Sequence, residues 1–98
     1  AAIRERVVKA RLVQQQRLEA WGMHCNAQMG RSEVVKYCQL DAAAQNVMER
    51  YFNMLNLSAR SHDRILKVAR TIADLAGSAS IEAVHLAEAI QLRTSVRP

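Results

Sequence analysis

The chain has 98 residues, of which 14 are Lys or Arg and 9 are Asp or Glu, giving a formal net charge of +5. This length suits one domain and excludes a complete large ATPase, kinase or dehydrogenase, since domains usually contain about 100 to 150 residues. Half of the residues are apolar, with only three Gly and one Pro. So few turn residues exclude a sandwich of short strands, and we predict an all-α fold of four to five helices.

The composition also limits the compartment and the partners. The two cysteines, Cys25 and Cys38, occur without an apolar signal segment, and no stretch of about 18 apolar residues is present. These features predict a soluble cytoplasmic chain in a reducing compartment, with no membrane partner. Because the first residue is not Met, the chain is expected to be a piece of a longer protein. The basic charge favours phosphate-bearing partners, either nucleic acid or nucleotide.

The first third of the chain predicts a long helix over residues 2–20, which contain no Gly or Pro. Its apolar residues are loosely spaced, so this helix is expected to be only partly buried. Residues 21–31 hold two of the three glycines and predict a loop. Ser32 is then expected to cap a short helix over residues 33–39.

The rest of the chain carries the stronger helical patterns. Asp41 is expected to cap a helix over 42–55, and Ser58 a helix over 59–76 that ends at Gly77. A last helix is predicted after Ser80, over 81–93, with a frayed tail at 94–98. The whole chain, 1–98, thus reads as a single domain whose bundle spans 32–93. The residues expected to face the core are Leu40, Ala43, Ala44, Val47, Met48, Tyr51, Phe52, Leu55, Ile65, Val68, Ala69, Ile72, Leu75, Ala76, Ile81, Val84, Ala87 and Ile90.

Direct catalysis or metal binding by this segment has little support. The chain has no GxxxxGK[ST] loop, so the segment alone is not expected to bind or hydrolyse ATP. His24, Cys25 and Cys38 have no spacing typical of a structural zinc site, and no metal site is predicted. A Cys/His nucleophile pair remains an alternative without an orienting third residue, and Cys38 is better explained as packing.

Arg60 lies in the first turn of its predicted helix, where the helix dipole disfavours a cation. An anion bound at the helix N-terminus would explain it, because guanidinium and backbone N–H groups together suit a phosphate. The alternative is a solvated arginine paired with Asp63. Arg64, Lys67 and Arg70 follow on the same helix as a basic ridge, which a solvated face explains in most proteins.

The first helix is also basic, with Arg4, Arg6, Lys9 and Arg11 followed by Arg17. These residues could contact a nucleic acid backbone, although no interleaved aromatic residues suggest base-specific recognition. The alternative is an exposed helix that leans on a neighbouring domain.

The stretch from Leu57 to Gly77, LSARSHDRILKVARTIADLAG, followed by Ile81 and by HLAEAI at 85–90, resembles the C-terminal domain of magnesium-chelatase-like AAA+ ATPases. Within that group it is most similar to the bacterial competence-protein type. IRxRV at 3–7, Ala10-Arg11, Asn26-Ala27 and CxLD at 38–41 extend the resemblance over nearly the whole chain.

The resemblance implies a helical lid that follows an AAA+ core in the same protein, with Arg60 as the sensor-2 arginine that reaches the γ-phosphate of ATP and Ser58 as its helix cap. It further implies ATP and Mg²⁺ in the full-length protein and a homo-oligomeric ring, a hexamer, that acts on DNA as a helicase or branch-migration motor in natural transformation. The alternatives are the lid of a magnesium chelatase subunit and a free-standing basic helical module that binds nucleic acid. The resemblance leaves open whether Arg60 acts in its own subunit or in the neighbouring one.

Overall fold

The computed structural model describes residues 2–95, with side chains for residues 3–92. This part of the chain contains five α-helices, which confirms the all-α prediction. They are α1 (Ala2–Leu18), α2 (Arg31–Tyr37), α3 (Ala42–Leu55), α4 (Ala59–Leu75) and α5 (Ala83–Ser95). Two short 3₁₀ turns, Glu19–Trp21 and Asn26–Gln28, lie between α1 and α2, in and beside the stretch expected to be a loop. The first helix therefore ends two residues before its expected end.

The two helices with the clearest sequence patterns, α3 and α4, begin where the sequence indicates; α3 also ends as expected, whereas α4 ends at Leu75, one residue before its expected end. Asp41 caps α3 by accepting a 2.8 Å hydrogen bond from the Ala44 N–H. Asn56 ends the same helix in the left-handed region, at φ 51°. Gly77 follows α4 at φ 74°, a conformation that glycine adopts without steric cost. Both ends are thus fixed by local chemistry that the sequence displays.

Helix α2 begins two residues earlier than expected because Ser32 is not its cap. Gly30 occupies the cap position, and its N–H donates a 2.8 Å hydrogen bond to the Glu33 carboxylate. Ser32 lies inside the first turn, where its hydroxyl donates to the same carboxylate. The Ser32 and Gly30 hydrogen bonds lower the pKa of Glu33.

Helix α5 begins at Ala83, so the expected cap at Ser80 and start at residue 81 are wrong. Ile81 instead forms an isolated parallel bridge with Leu40, which joins the segments that precede α5 and α3. The Glu82 N–H then donates a 3.0 Å hydrogen bond to His85 Nδ1, which satisfies one N–H group at the helix start. Helix α5 extends to Ser95, into the expected tail, and residues 96–98 lie outside the described residues.

The core forms around α4, which packs against α1, α2, α5 and the 3₁₀ turn at Asn26–Gln28, while α3 packs against α5. Burial of apolar side chains between these helices is the main favourable contribution to folding. The core residues are Leu18, Met29, Val34, Cys38, Ala44, Met48, Leu57, Ile65, Leu66, Ala69, Ala73, Ile81, Leu86, Ala89 and Ile90.

Some residues expected to face the core are exposed instead. On α5, Val84 is 65% exposed and Ala87 is also exposed, because Leu86, Ala89 and Ile90 form the buried face. Apolar residues occur all around this helix, and its expected face was extrapolated from Ile81, which lies outside the helix. Four other expected core residues are also exposed: Ala43, Leu55, Val68 and Ala76.

A buried network of polar side chains joins α1 to α4 through Asp74. Arg17 of α1 donates two hydrogen bonds to this carboxylate, at 2.8 and 2.9 Å. Arg70 donates to Asp74 Oδ1 from Nε at 3.2 Å, and Asn26 donates from Nδ2 to Oδ2 at 2.9 Å. Asp74 therefore accepts from three side chains, and its hydrogen bond with Arg17 raises the pKa of that guanidinium.

Arg70 belongs to this network and not to a solvated ridge, which corrects the sequence interpretation. It is 3% exposed, and its guanidinium also donates to the backbone carbonyls of Ser78 and Ala79, at 2.8 and 3.1 Å. These bonds hold the turn between α4 and α5. A guanidinium can satisfy several carbonyl and carboxylate oxygens at once, so its burial here leaves no donor of the group unpaired.

The buried face of α1 includes a polar residue between apolar ones. Gln14, from the run of three glutamines, is 7% exposed and accepts a 3.0 Å hydrogen bond from the Asn26 N–H. Ala10 and Leu18 complete this face. Ile3, on the same side of the helix two turns before Ala10, is 74% exposed. Only the C-terminal part of α1 is therefore fixed to the rest of the fold.

We expect Asp74→Asn to lower the free energy of unfolding by about 3 to 5 kcal/mol, because it leaves the buried Arg70 and the partly buried Arg17 without their counter-charge. Urea denaturation followed by circular dichroism measures the change. Glu88→Gln, on an exposed carboxylate of α5, is the matched control and should stay within about 0.5 kcal/mol of the parent chain. A loss for Asp74→Asn no larger than the control's would contradict the importance of this network.

Candidate nucleotide-sensing site and basic surfaces

The N-terminus of α4 presents Arg60 to solvent. Ser58 is the N-cap, and its hydroxyl accepts a 3.2 Å hydrogen bond from the Ser61 N–H. Arg60 is the second residue of the helix and is exposed. The guanidinium therefore lies at the positive end of a 17-residue helix, where the dipole and the first N–H groups favour an anion.

Arg60 is not neutralised within the part of the chain that the structure describes. Asp63, the acid considered as its partner, forms an ion pair with Arg31 at the start of α2. His62 Nδ1 also lies 3.6 Å from Asp63 Oδ1. No hydrogen bond or ion pair joins the guanidinium of Arg60 to any of the residues 3–92. The alternative explanation of a pair with Asp63 is therefore not observed.

Arg64 lies one helical turn beyond Arg60 and is also exposed. Two like charges at positions i and i+4 destabilise a helix by a few tenths of a kcal/mol. Lys67, another turn on, is only partly exposed, and Arg70 is buried. The predicted ridge is thus reduced to Arg60 and Arg64 as fully exposed guanidinium groups at the start of α4.

The basic residues of α1 divide into two groups. Arg4 and Arg11 lie two turns apart on one side of the helix, whereas Arg6 and Lys9 lie on the other side. All four are exposed, and none forms an ion pair with the described side chains. Arg17 differs because Asp74 neutralises it. The structure therefore leaves four cations available on the first three turns of α1.

A groove of about 600 Å³ lies between α2, α3 and α4. Apolar side chains, among them Val35, Met48 and Phe52, form much of its surface, and Glu49 is its one Asp or Glu. None of the residues lining it is Lys or Arg, so the groove provides no cationic side chain to a phosphate. The groove therefore lacks the exposed guanidinium groups that are present at the start of α4.

The cysteines occupy different environments. Cys38 is 4% exposed in the core, and burial raises the pKa of its thiol to about 11. Cys25 is exposed in the segment between the 3₁₀ turns. Within residues 3–92, no three His, Cys, Asp or Glu side chains lie together as a metal site. Cys38 is thus a packing residue whose thiol is mostly protonated at neutral pH, so it cannot act as a thiolate nucleophile.

We expect Ellman's reagent to modify only one of the two thiols in the native chain at neutral pH, and both after unfolding in guanidinium chloride. The physical reason is that the thiolate reacts and Cys38 is both buried and protonated. The single variants Cys25→Ser and Cys38→Ser assign the two rates. Equal native rates for the two thiols would contradict the packing role of Cys38.

No helix of the described chain combines the length and the apolar character needed to span a membrane.

Comparison with known proteins indicates the family to which the chain belongs. Residues 1–93 match the family model described as the C-terminal domain of magnesium chelatase subunit ChlI. No solved structure gives a significant match.

Two curated relatives extend this comparison. The chain is 41% identical over 97 residues to competence protein ComM of Haemophilus influenzae, covering 99% of this chain and 18% of that protein. It is 36% identical over 96 residues to the uncharacterized protein YifB of Escherichia coli, again covering 18% of the relative. The chain thus spans less than a fifth of the length of these relatives. Since the family model covers almost the entire sequence, the chain belongs to the magnesium chelatase C-terminal family, as the resemblance implied.

Proposed function

We propose that this domain is the helical lid of an AAA+ ring ATPase that acts on DNA, and that Arg60 contacts the γ-phosphate of ATP. The observation that carries the proposal is the unneutralised guanidinium of Arg60 at the positive end of α4, whose nearby acid Asp63 is paired with Arg31. This arrangement is unfavourable in the domain alone. A phosphate from outside the domain would neutralise it.

The nucleotide belongs to a part of the protein that this chain does not include. An exposed arginine fits a phosphate oxygen, because its five N–H donors match phosphate geometry. In the proposed mechanism, ATP and Mg²⁺ are held by the AAA+ core of the parent protein, and closure of the lid brings Arg60 to the terminal phosphate. The guanidinium then stabilises charge that develops there during transfer of the phosphoryl group.

The ring and the DNA substrate are supported by the family and by one relative's name. AAA+ lids couple nucleotide binding to movement between subunits, and a homo-hexamer in the cytoplasm is the assembly we propose. The name of the Haemophilus influenzae relative, a competence protein, favours action on DNA during natural transformation. The family description favours the alternative of a magnesium chelatase subunit. Stimulation of the parent's ATPase activity by DNA would distinguish the two.

In the full-length parent protein we expect Arg60→Ala to lower the rate of ATP hydrolysis by about a hundredfold or more, because the variant removes a donor to the developing charge. Steady-state phosphate release measures the rate. The same substitution in the 98-residue chain should leave the thermal unfolding midpoint nearly unchanged, since the side chain is exposed and without a partner among the described residues.

Arg64→Ala is the matched control for this experiment. It removes the same charge one turn further along the same exposed part of α4, so it tests whether general electrostatic attraction explains the loss. The proposal expects a much smaller reduction for Arg64→Ala than for Arg60→Ala. Normal turnover by the Arg60→Ala protein would rule out the role given to Arg60.

A second candidate function is nucleic acid binding by α1 itself. The observation in its favour is the set of four exposed, unneutralised cations Arg4, Arg6, Lys9 and Arg11. Lys and Arg side chains that contact phosphates release counterions, which makes the affinity depend strongly on salt.

The 98-residue chain is then expected to bind duplex DNA with an affinity that falls as salt rises, and Arg4→Gln with Arg11→Gln should reduce the logarithmic salt slope by about 2 if both contact phosphates. Arg64→Gln is the control for loss of charge elsewhere. An electrophoretic mobility assay at about 50 mM salt detects the complex. Absence of any shift there would argue against this function for the isolated domain.

A further inference from the structure

Three side chains from two segments meet on the surface beyond the C-terminal end of α1. Trp21 ends the 3₁₀ turn after α1, and its indole Nε1–H donates a 3.1 Å hydrogen bond to the hydroxyl of Tyr37. The ammonium of Lys36 lies 5.4 Å from the Trp21 ring centroid and 5.3 Å from that of Tyr37. We call these three residues the aromatic platform. Neither the family assignment nor the role of Arg60 gives it a purpose.

The geometry favours a partner that stacks. Trp21 is 45% exposed, a large apolar area for a residue that usually contributes to cores and interfaces. Because Tyr37 already satisfies the indole N–H, a partner need not supply a hydrogen-bond acceptor to the ring. Because the ammonium of Lys36 lies over one face of the indole, the surface that Trp21 offers for stacking is the opposite face, with the ring held in place by Tyr37. Nucleobases stack on such rings without strong sequence preference.

The charge favours a partner with phosphates. Lys36 is exposed and forms no ion pair with the described side chains, so its ammonium, which lies over the rings of Trp21 and Tyr37, has no acid that neutralises it. The platform thus combines an aromatic surface with a cation, and the base and phosphate of one nucleotide lie close enough together to contact both. The chain as a whole carries +5, which further favours a polyanion.

We propose that the aromatic platform binds single-stranded DNA, with a base stacked on Trp21 and a neighbouring phosphate on Lys36. The inference rests on the proposed action on DNA and names a contact surface for it. Arg11 lies seven residues before the end of α1, or roughly 10 Å of helix, and Trp21 follows that end by three residues, so the cations of α1 are the nearest ones along the chain for a strand that extends from the platform. Double-stranded DNA would expose no free base face to Trp21.

Trp21 is the one tryptophan of the chain, so its fluorescence reports directly on the platform. We expect unlabelled oligothymidylate of about 12 nucleotides, within the size range that single-strand-binding modules cover, to quench this fluorescence at low salt. An oligonucleotide of the same length without bases provides the same phosphates and should quench much less. Equal quenching by both would show that stacking is absent and would overturn the proposal.

Variants separate the two parts of the contact. By anisotropy of a labelled oligothymidylate, Trp21→Ala should weaken binding about tenfold, a loss in the range typical of one stacked base. Lys36→Gln should reduce the logarithmic salt slope by about 0.7, the value for one phosphate on a single strand. Met54→Ala, which removes another exposed apolar side chain, on α3, is the matched control and should bind as the parent chain does. Equal weakening by Trp21→Ala and Met54→Ala would overturn the proposal.

Measurements on the parent protein distinguish failure of this inference from failure of the proposed function. Trp21→Ala should leave ATP hydrolysis without DNA unchanged and weaken its stimulation by single-stranded DNA, whereas Arg60→Ala should abolish hydrolysis with or without DNA. If DNA stimulates the Trp21→Ala protein as it does the parent, the platform is wrong and the ATPase assignment stands. In a parent variant that keeps Trp21 as its single tryptophan, emission that acrylamide does not quench would show that the rest of the protein covers the indole, and the proposal would fail.

Discussion

The carboxylate of Asp74 is the interaction on which the arrangement of the helices depends. It accepts from Arg17 of α1, from Arg70 one turn earlier on α4 and from Asn26 of the intervening 3₁₀ turn. Arg70 in turn donates to the carbonyls of Ser78 and Ala79, so the same cluster positions the chain that leads into α5. A buried charge left without its partners is costly, which penalises any arrangement that separates these segments.

This network also limits what can move. The start of α4 carries Arg60, and Asp74 lies fourteen residues later, or roughly 21 Å along one helix. A continuous helix of this length behaves as a rigid element, so displacement of Arg60 displaces Asp74 and, through Arg17, the C-terminal part of α1. In the proposed function, contact of Arg60 with a phosphate would therefore be transmitted across the domain. The exposed N-terminal turns of α1 lie beyond the part of the helix that Asp74 fixes. They would move with that part because α1 is continuous.

Local signals predicted the helices whose ends depend on single residues. Asp41, Ser58 and Gly77 act through their own side chain or backbone freedom, so their neighbours in sequence were enough to identify them. The start of α2 was missed because Gly30 supplies no side chain and Glu33 completes the cap from inside the helix. The start of α5 was missed because Ile81 is held by Leu40, a contact between residues forty-one positions apart in the sequence.

The site residues show the same division between local and distant causes. The position of Arg60 in a first helical turn was visible in the sequence. Its lack of a partner was not, because it depends on the ion pair of Asp63 with Arg31, which lies thirty-two residues earlier in the sequence. The sequence pattern also did not reveal the burial of Arg70, because the spacing of three and four residues assigned it to the same side of the helix as Arg64, which is exposed. Periodicity identifies the side of a helix on which a residue lies, and only packing decides whether that side is covered.

The net charge therefore reflects two kinds of cation, those neutralised within the fold and those without an acid partner. Arg17 and Arg70 are neutralised inside the fold by one acid, and Arg31 is neutralised on its surface by another. These three serve the architecture, although in the sequence they resemble the others. The cations without an acid partner among the described side chains lie on the first turns of α1, at Lys36, at Arg50 on α3 and along α4 at Arg60, Arg64 and Lys67. These cations repel one another because no acid neutralises them. A phosphate bound at any of these places would reduce that repulsion and so would stabilise the domain.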